Sequence, residues 1–594
     1  MSQMRLLLSL AVCLSAAWAT GTARADDPVP DPLRVVPTEA DLFVKVDQPR
    51  RLIETVLTHP TFHQARQLAQ FRDFFEFTTI ARFEKLIAYY EKDLGMPWRQ
   101  IVDQAMGGGV VVAAKVLGME DSPVLLATQS RDRATLEKLL ESVIGVLEEE
   151  ISRDGKQAKV ARKNYRGAKT FHLGDDLHAA LIDGALLVSN KQYALKMGID
   201  RAVDRQLPNL ATAKGPQQAR KLLDGDVLAW GWVNLAPIQA IPEVKENTQT
   251  PNNNALLTLL FGGWIDSFRR SPFAAVGIFH EPANGLRVGV RMPAGLTGGN
   301  AAEQALTTPT KPGEPATLPL LQPKGTLFTQ SFYWDLSILW KERAKIFNAE
   351  TVKQFEEANS NPIPFLPGQT LATILEQTAP QHRLVVATTE QTTYRQKPAL
   401  GVPAFAFVTT MRDPQLAKTF EAGLRALALF GGNQLGGLKL VEQKHQGVNV
   451  VGYLFDEKGP PKGALATDVD GVRFAFSPCF ATVGDQFIIC SRLELIRELI
   501  EIIQKEDRTQ RHPAAGRMRF SGQGLADLLY SDPAQLLTQT ILDQALPDAE
   551  ARQYVETYLG FLRDLGQFDS TTEYRADQFR FDIRWTPRKA GKEK

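Results

Sequence analysis

From Val124 to Gln129 the chain reads VLLATQ, a short apolar run of strand length. Arg131 and Asp132 interrupt it. Leu136, Leu139, Leu140, Val143, Val146 and Leu147 then recur at helical spacing. The pattern predicts a buried strand, a sharp turn and an amphipathic helix. It returns at Ala404 to Phe430, AFAFVTTMRDPQLAKTFEAGLRALALF, with Arg412-Asp413 lying 281 residues after Arg131-Asp132. Phe420 and Leu424 fall where Leu139 and Val143 stood.

Around these two copies the other elements fall into matching order. ADLFVKV at Ala40 to Val46 and TLFTQSF at Thr326 to Phe332 both read as opening strands. A short helix ends before Gly107, and another runs through Leu371, Ile374 and Leu375. ALIDGALLVSNKQYAL from Ala180 aligns without a gap to ATVGDQFIICSRLELI from Ala481. Asp183-Gly184 suits a two-residue hairpin turn, which needs positive φ at both central positions. The closing strands near Phe273 to Arg291 find their counterpart in TEYRADQFRFDIRW. A period of this length is too long for a solenoid. The expected fold is α+β, with two duplicated domains. Each is a mostly antiparallel sheet with helices packed on one face.

The expected organisation follows from these patterns. Residues 1–25 read as a signal peptide, with Arg5, an apolar stretch from Leu6 to Ala19 and an Ala23-Arg24-Ala25 cleavage site. Residues 26–39 are a Pro-rich lead-in, 40–294 the first repeat, 295–324 a Gly/Thr/Pro-rich linker, 325–587 the second repeat and 588–594 a basic tail. The chain is then expected to be exported, periplasmic or extracellular, with no transmembrane segment left after cleavage. A chain of 594 residues exceeds one compact core, in line with two domains. With 68 basic against 67 acidic residues, no global field draws it to nucleic acid.

The Pro37 to Val46 opening, the short helix before Gly107 and the Gly/Asp hairpin followed by strand and helix resemble exported bacterial proteins. These are grouped as domain of unknown function 3352 and are similar to hypothetical secreted proteins of planctomycete-type bacteria. The resemblance implies an exported protein without an assigned activity, and it carries no catalytic residues to this chain.

Chemistry-bearing patterns are sparse. The phosphate loop GxxxxGK[ST], the GxSxG elbow and the HExxH zinc helix are absent from the sequence. His59 and His63 have the spacing of two ligands on one helix face, without a third ligand nearby in sequence. Asp468-Val469-Asp470-Gly471 resembles the start of a calcium loop but lacks the later oxygens, and Asp470-Gly471 suits a turn. The recurring Arg-Asp pairs are read as structural, the aspartate capping a helix and the arginine ending a strand in water. If Gly484-Asp485 is a two-residue turn, positions summing to 969 face each other, and Cys479 faces Cys490. Three states stay open for this pair: a structural disulfide, two buried free thiols or a redox pair. No catalytic, metal or cofactor-binding residue is assigned, and no cofactor is expected.

The leading functional expectation is a non-enzymatic binding or scaffold protein of the cell envelope, with an envelope protein or peptide as partner. A second is a carrier of an apolar ligand, lined by the aromatic-rich segment Phe71 to Tyr90. A third is a hydrolase whose site is assembled from distant residues.

Overall fold

A computed structural model describes residues 29–588, apart from 58, 66–67, 69–88, 118–120, 154–159, 175, 252–253, 283–284, 310–315, 362, 364–365, 367, 399–400, 432–437, 459–467, 469–470, 508, 511 and 532. The signal-peptide reading, the aromatic residues Phe71 to Phe83, Asp470 and nearly all of the basic tail lie outside the described residues.

The chain forms two compact units. The first holds residues up to Ile241 together with Ser271–Pro293, and the second holds Pro242–Arg270 together with everything from Ala294 onward. In the first unit the strands are β1 (Leu42–Val46), β2 (Val110–Ala114), β3 (Val124–Gln129), β4 (Ala161–Tyr165), β5 (Ala168–Leu173), β6 (Leu177–Ile182), β7 (Ala185–Ser189), β8 (Val227–Asn234), β9 (Phe273–Glu281) and β10 (Gly285–Met292). They pair in the order β4-β5-β6-β7-β3-β2-β1-β8-β9-β10, every neighbour antiparallel. The second unit has β11 (Thr326–Tyr333), β12 (Thr378–Ala387), β13 (Ala404–Met411), β14 (Lys439–His445), β15 (Val448–Leu454), β16 (Cys479–Val483), β17 (Gln486–Cys490), β18 (Gly516–Ser521), β19 (Gln567–Tyr574) and β20 (Phe579–Thr586). Its order is β14-β15-β16-β17-β13-β12-β11-β18-β19-β20, again antiparallel throughout. Position by position, the two orders are the same.

Turn chemistry fixes the register. Ile182 pairs with Ala185 across Asp183 (φ 48°) and Gly184 (φ 70°), the double positive φ of a type I′ turn. Val483 pairs with Gln486 across Gly484-Asp485, so Cys479 is opposite Cys490, as the turn-based count predicts.

Helices cover both sheet faces around β3 and β5–β7 and around β13 and β15–β17, which corrects the one-face expectation there. In the first unit Leu125, Ala127, Ala180 and Leu187 pack with Leu195 and Ile199 of the Gln192–Val203 helix. The alternate residues Leu126, Leu181, Leu186 and Val188 pack with Leu136, Leu139 and Leu140 of the Arg133–Arg153 helix. The physical reason is plain in β7, buried at all five positions: a strand with two apolar faces needs cover on each. Each fully buried leucine contributes about 1.5–3 kcal/mol. In the second unit Ile488 and Ala481 face the Leu493–Lys505 helix. Phe480 and Phe487 face Leu416 and Ala417 of the Pro414–Gly431 helix.

Residues 242–270, counted with the first half in the sequence reading, belong to the second unit. Their Ala255–Arg270 helix buries Gly262, Gly263 and Asp266. A Cβ on Gly263 would lie 2.4 Å from Thr307 Oγ1 and 2.9 Å from the Tyr574 ring, so only glycine allows this approach. The 295–324 segment, read from composition as a linker, contains the Ala301–Thr307 helix, capped by the Asn300 side chain and buried at Ala302, Glu303 and Leu306.

Candidate functional site

The Arg-Asp pair that opens the Arg133–Arg153 helix is structural. Asp132 accepts from the backbone N–H of Ala134 (3.2 Å) and Thr135 (3.1 Å) and from the Thr135 hydroxyl. The Thr135 hydrogen bond comes first among the causes that hold its carboxyl below the usual range. Asp413 likewise accepts from Gln415 N at 2.8 Å. The two arginines differ. Both are exposed, but Arg412 does not simply end a strand in water. Its Nη2 donates to both Asp335 oxygens at 2.9 Å, and its Nη1 donates to the carbonyl of Thr378 at 2.7 Å.

Beyond this cap, the helix and the sheet beneath it leave an apolar pocket in the first unit. The pocket reaches solvent and has a cavity volume of about 60 Å³. Its roof is the helix face Leu136, Leu139, Leu140, Val143, Ile144 and Leu147. Its floor comes from alternate positions of three strands: Phe171 and Leu173 of β5, Leu177 and Ala179 of β6, Leu186 and Val188 of β7. Val160 completes the lining. None of these side chains carries a hydrogen-bonding or titratable group.

The same layer of the second unit shows why a pocket forms here. By strand position and hairpin register, Phe480 stands where Ala179 stands, Phe487 where Leu186 stands, Tyr453 where Leu173 stands and Phe420 where Leu139 stands. Phe420 and Phe487 have ring centroids 5.5 Å apart, and Phe480 and Phe487 have theirs 6.0 Å apart. The Tyr453 hydroxyl donates to Leu424 O at 3.1 Å. Four aromatic rings stand at positions that three leucines and one alanine hold in the first unit, while Phe171 of the first unit is replaced by Val451.

Buried titratable groups elsewhere are occupied by structural bonds. Asp266 accepts from Arg270 (2.7 Å), Arg269 (3.0 Å), Gln304 (3.0 Å) and the Asn300 N–H (3.2 Å). Burial raises its pKa, but these donors outweigh it and the carboxyl sits below its usual range. For Glu303, burial outweighs Thr250 and Arg269, and the pKa rises. Arg383 is fully buried and paired to the buried Glu506. His382 is buried, with its Nε2–H donating to Trp334 O (3.1 Å) and its Nδ1 accepting from Thr409 Oγ1 (3.0 Å). The carbonyl can only accept, which fixes this tautomer. Burial lowers the His382 pKa to about 4.

The sequence candidates separate on inspection. His59 is buried and its Nδ1 accepts from Thr61 N, while the His63 side chain lies outside the described residues. Asp468 accepts from the N–H of Val472 (2.6 Å) and from Arg473 (2.8 Å), so it anchors a 3-10 turn. Among the described residues no group of three or more His, Cys, Asp or Glu side chains could hold a metal. Among them too, no helix is long and apolar enough to cross a membrane. Cys479 and Cys490 are buried free thiols in the core under the Leu493–Lys505 helix. Of the aromatic segment, Tyr90 packs at the edge of the core beneath the Arg133–Arg153 helix, and Tyr89 is exposed. Sequence reading treated Leu136 to Leu147 as an ordinary core face and missed the pocket. Comparing Ala179 and Leu186 with Phe480 and Phe487 would have pointed to it.

Comparison with known proteins found no matching family model, no matching curated protein and no matching solved structure.

Proposed function

We propose that this is an exported, non-enzymatic binding protein whose first unit holds a small apolar group, such as the end of an acyl chain, between the Arg133–Arg153 helix and β5–β7. One observation carries the reading. The pocket is lined wholly by apolar side chains, while the other unit carries aromatic rings at the positions of Leu139, Leu173, Ala179 and Leu186. Such a pocket offers burial and nothing else, at about 0.8 kcal/mol per methylene taken from water. The N-terminal leader pattern and the resemblance to exported proteins support the export. The shared strand order supports descent of both units from one duplicated ancestor. On this reading one copy kept a closed core and the other opened a site.

The second unit supplies the test. Ala179→Phe and Leu186→Phe write its residues into the pocket. Wild-type protein, stripped of lipid, should take up a fluorescent fatty acid with saturable binding. The double variant should fold to the same circular dichroism spectrum and lose at least tenfold in affinity. Equal binding by both proteins, or none by the wild type, would refute the proposal.

A further inference from the structure

The hairpin β16–β17 places the two cysteines of the second unit directly opposite each other, Cys479 with Cys490. Opposed residues on antiparallel strands have Cα atoms about 4.5–5.5 Å apart, inside the range a disulfide spans. Both residues are almost wholly enclosed, 3% and 2% exposed. They sit in the core with Ala406, Val450, Leu493 and Ile496. Each thiol satisfies itself on a backbone carbonyl, Cys479 Sγ on Cys490 O (3.6 Å) and Cys490 Sγ on Arg492 O (3.2 Å). Arg492 leads into the Leu493–Lys505 helix, and it holds the carbonyls of Ala475 and Val402 through its guanidinium. The pair thus lies beneath a helix whose docking seals it from solvent. In the first unit the same register positions hold His178 and Ser189.

We infer that Cys479 and Cys490 are a covalent cross-link site whose oxidation state is set while the chain folds and is then locked in. In the open hairpin one thiolate attacks the disulfide of an external oxidant, such as glutathione disulfide or a thiol–disulfide oxidoreductase. It forms a mixed disulfide and releases the first oxidant thiolate. The second cysteine, as thiolate, attacks the Cys sulfur of that mixed disulfide and expels the second. The Sγ–Sγ bond forms, two cysteine protons are lost, and the oxidant takes up two electrons. Once the helix docks, no oxidant reaches either sulfur. Burial also raises the Cys479 thiol pKa well above its ordinary value, which removes the attacking thiolate. Closing so short a loop strengthens folding by about a hundredfold in the equilibrium constant.

The test uses the full chain with glutathione disulfide as oxidant. One sample is unfolded in reductant and refolded with the oxidant. A second is refolded in reductant and then exposed, while native, to the same oxidant. Both are denatured, alkylated and mapped by mass spectrometry. The inference expects the first to yield a linked peptide containing Cys479 and Cys490, neither of them alkylated, and the second to be alkylated at both. Alkylation of both samples would show that the pair does not close. Full cross-linking of the native sample at the rate of an unfolded peptide would show that the docked helix does not protect it. A Cys490→Ser chain, which should fold in reductant, must give no linked peptide. Its midpoint should match the reduced wild type more closely than the oxidised.

Discussion

His382 carries the clearest pH signature of any single residue. It is buried among Phe332, Trp334 and Phe407 and titrates near 4 instead of 6.5. Its folded pKa lies below its unfolded one, so between these values the unfolded chain binds more protons than the native one. Stability from this group is complete above about pH 6.5 and falls as pH drops toward 4. About 3 kcal/mol is lost across that window. Urea unfolding measured from pH 7 to pH 4 should show the slope, and His382→Gln should flatten it. An unchanged slope would remove the assignment. Asp132 makes a smaller prediction of its own. Asp132→Ala should cost about 1 kcal/mol by chemical denaturation through loss of the cap. Caps of this kind were legible in the sequence, because aspartate before an apolar helical face has one common use. The role of Arg412 was not legible, because its partner Asp335 lies 77 residues away.

At the scale of elements, hairpin registers were readable from turn chemistry alone, and Cys479 opposite Cys490 is the sharpest instance. Cover on both sheet faces was signalled by the unbroken apolar runs in β3 and β7. The alternation seen in other strands obscured it. The pocket was out of reach of periodicity, because a helix presents the same leucine spacing to a filled layer and to an open one. The allegiance of the Ala255–Arg270 helix was equally hidden, since its pattern specifies a buried face and not the surface it meets. That face is tightly fitted at Gly263. Gly263→Ala should destabilise the second unit by about 1–3 kcal/mol through overpacking against Thr307 and Tyr574. Calorimetry would check it, and an unchanged transition would mean that the close approach is not required. The opposite side of this helix leaves Leu256, Leu260, Phe261 and Trp264 exposed.

For the whole molecule, the repeated strand order means that one topology was solved twice with different side chains. The excursion of residues 242–270 gives that statement a consequence. Gln239 Nε2 donates to Ser271 O at 3.0 Å, so the chain leaves and re-enters the first unit at neighbouring points. A chain in which a short flexible linker replaces residues 242–270 should keep apolar-ligand binding in the first unit. It should also lower the stability of the second unit, where Glu303 loses Arg269 and the Ala301–Thr307 helix loses its packing. Loss of binding together with that stability would contradict the division into units.

On the proposed reading an apolar ligand enters the first unit, while Phe420, Tyr453, Phe480 and Phe487 occupy the corresponding positions of the second. A spin-labelled fatty acid, added to protein with labelled leucine and isoleucine methyl groups, tests this directly. The methyl resonances of Leu140, Ile144, Leu173 and Leu186 should broaden strongly, while those of Leu416 and Leu424 beside Phe420 and Phe487 stay sharp. Broadening spread evenly over both sets, or absent from both, would contradict the account.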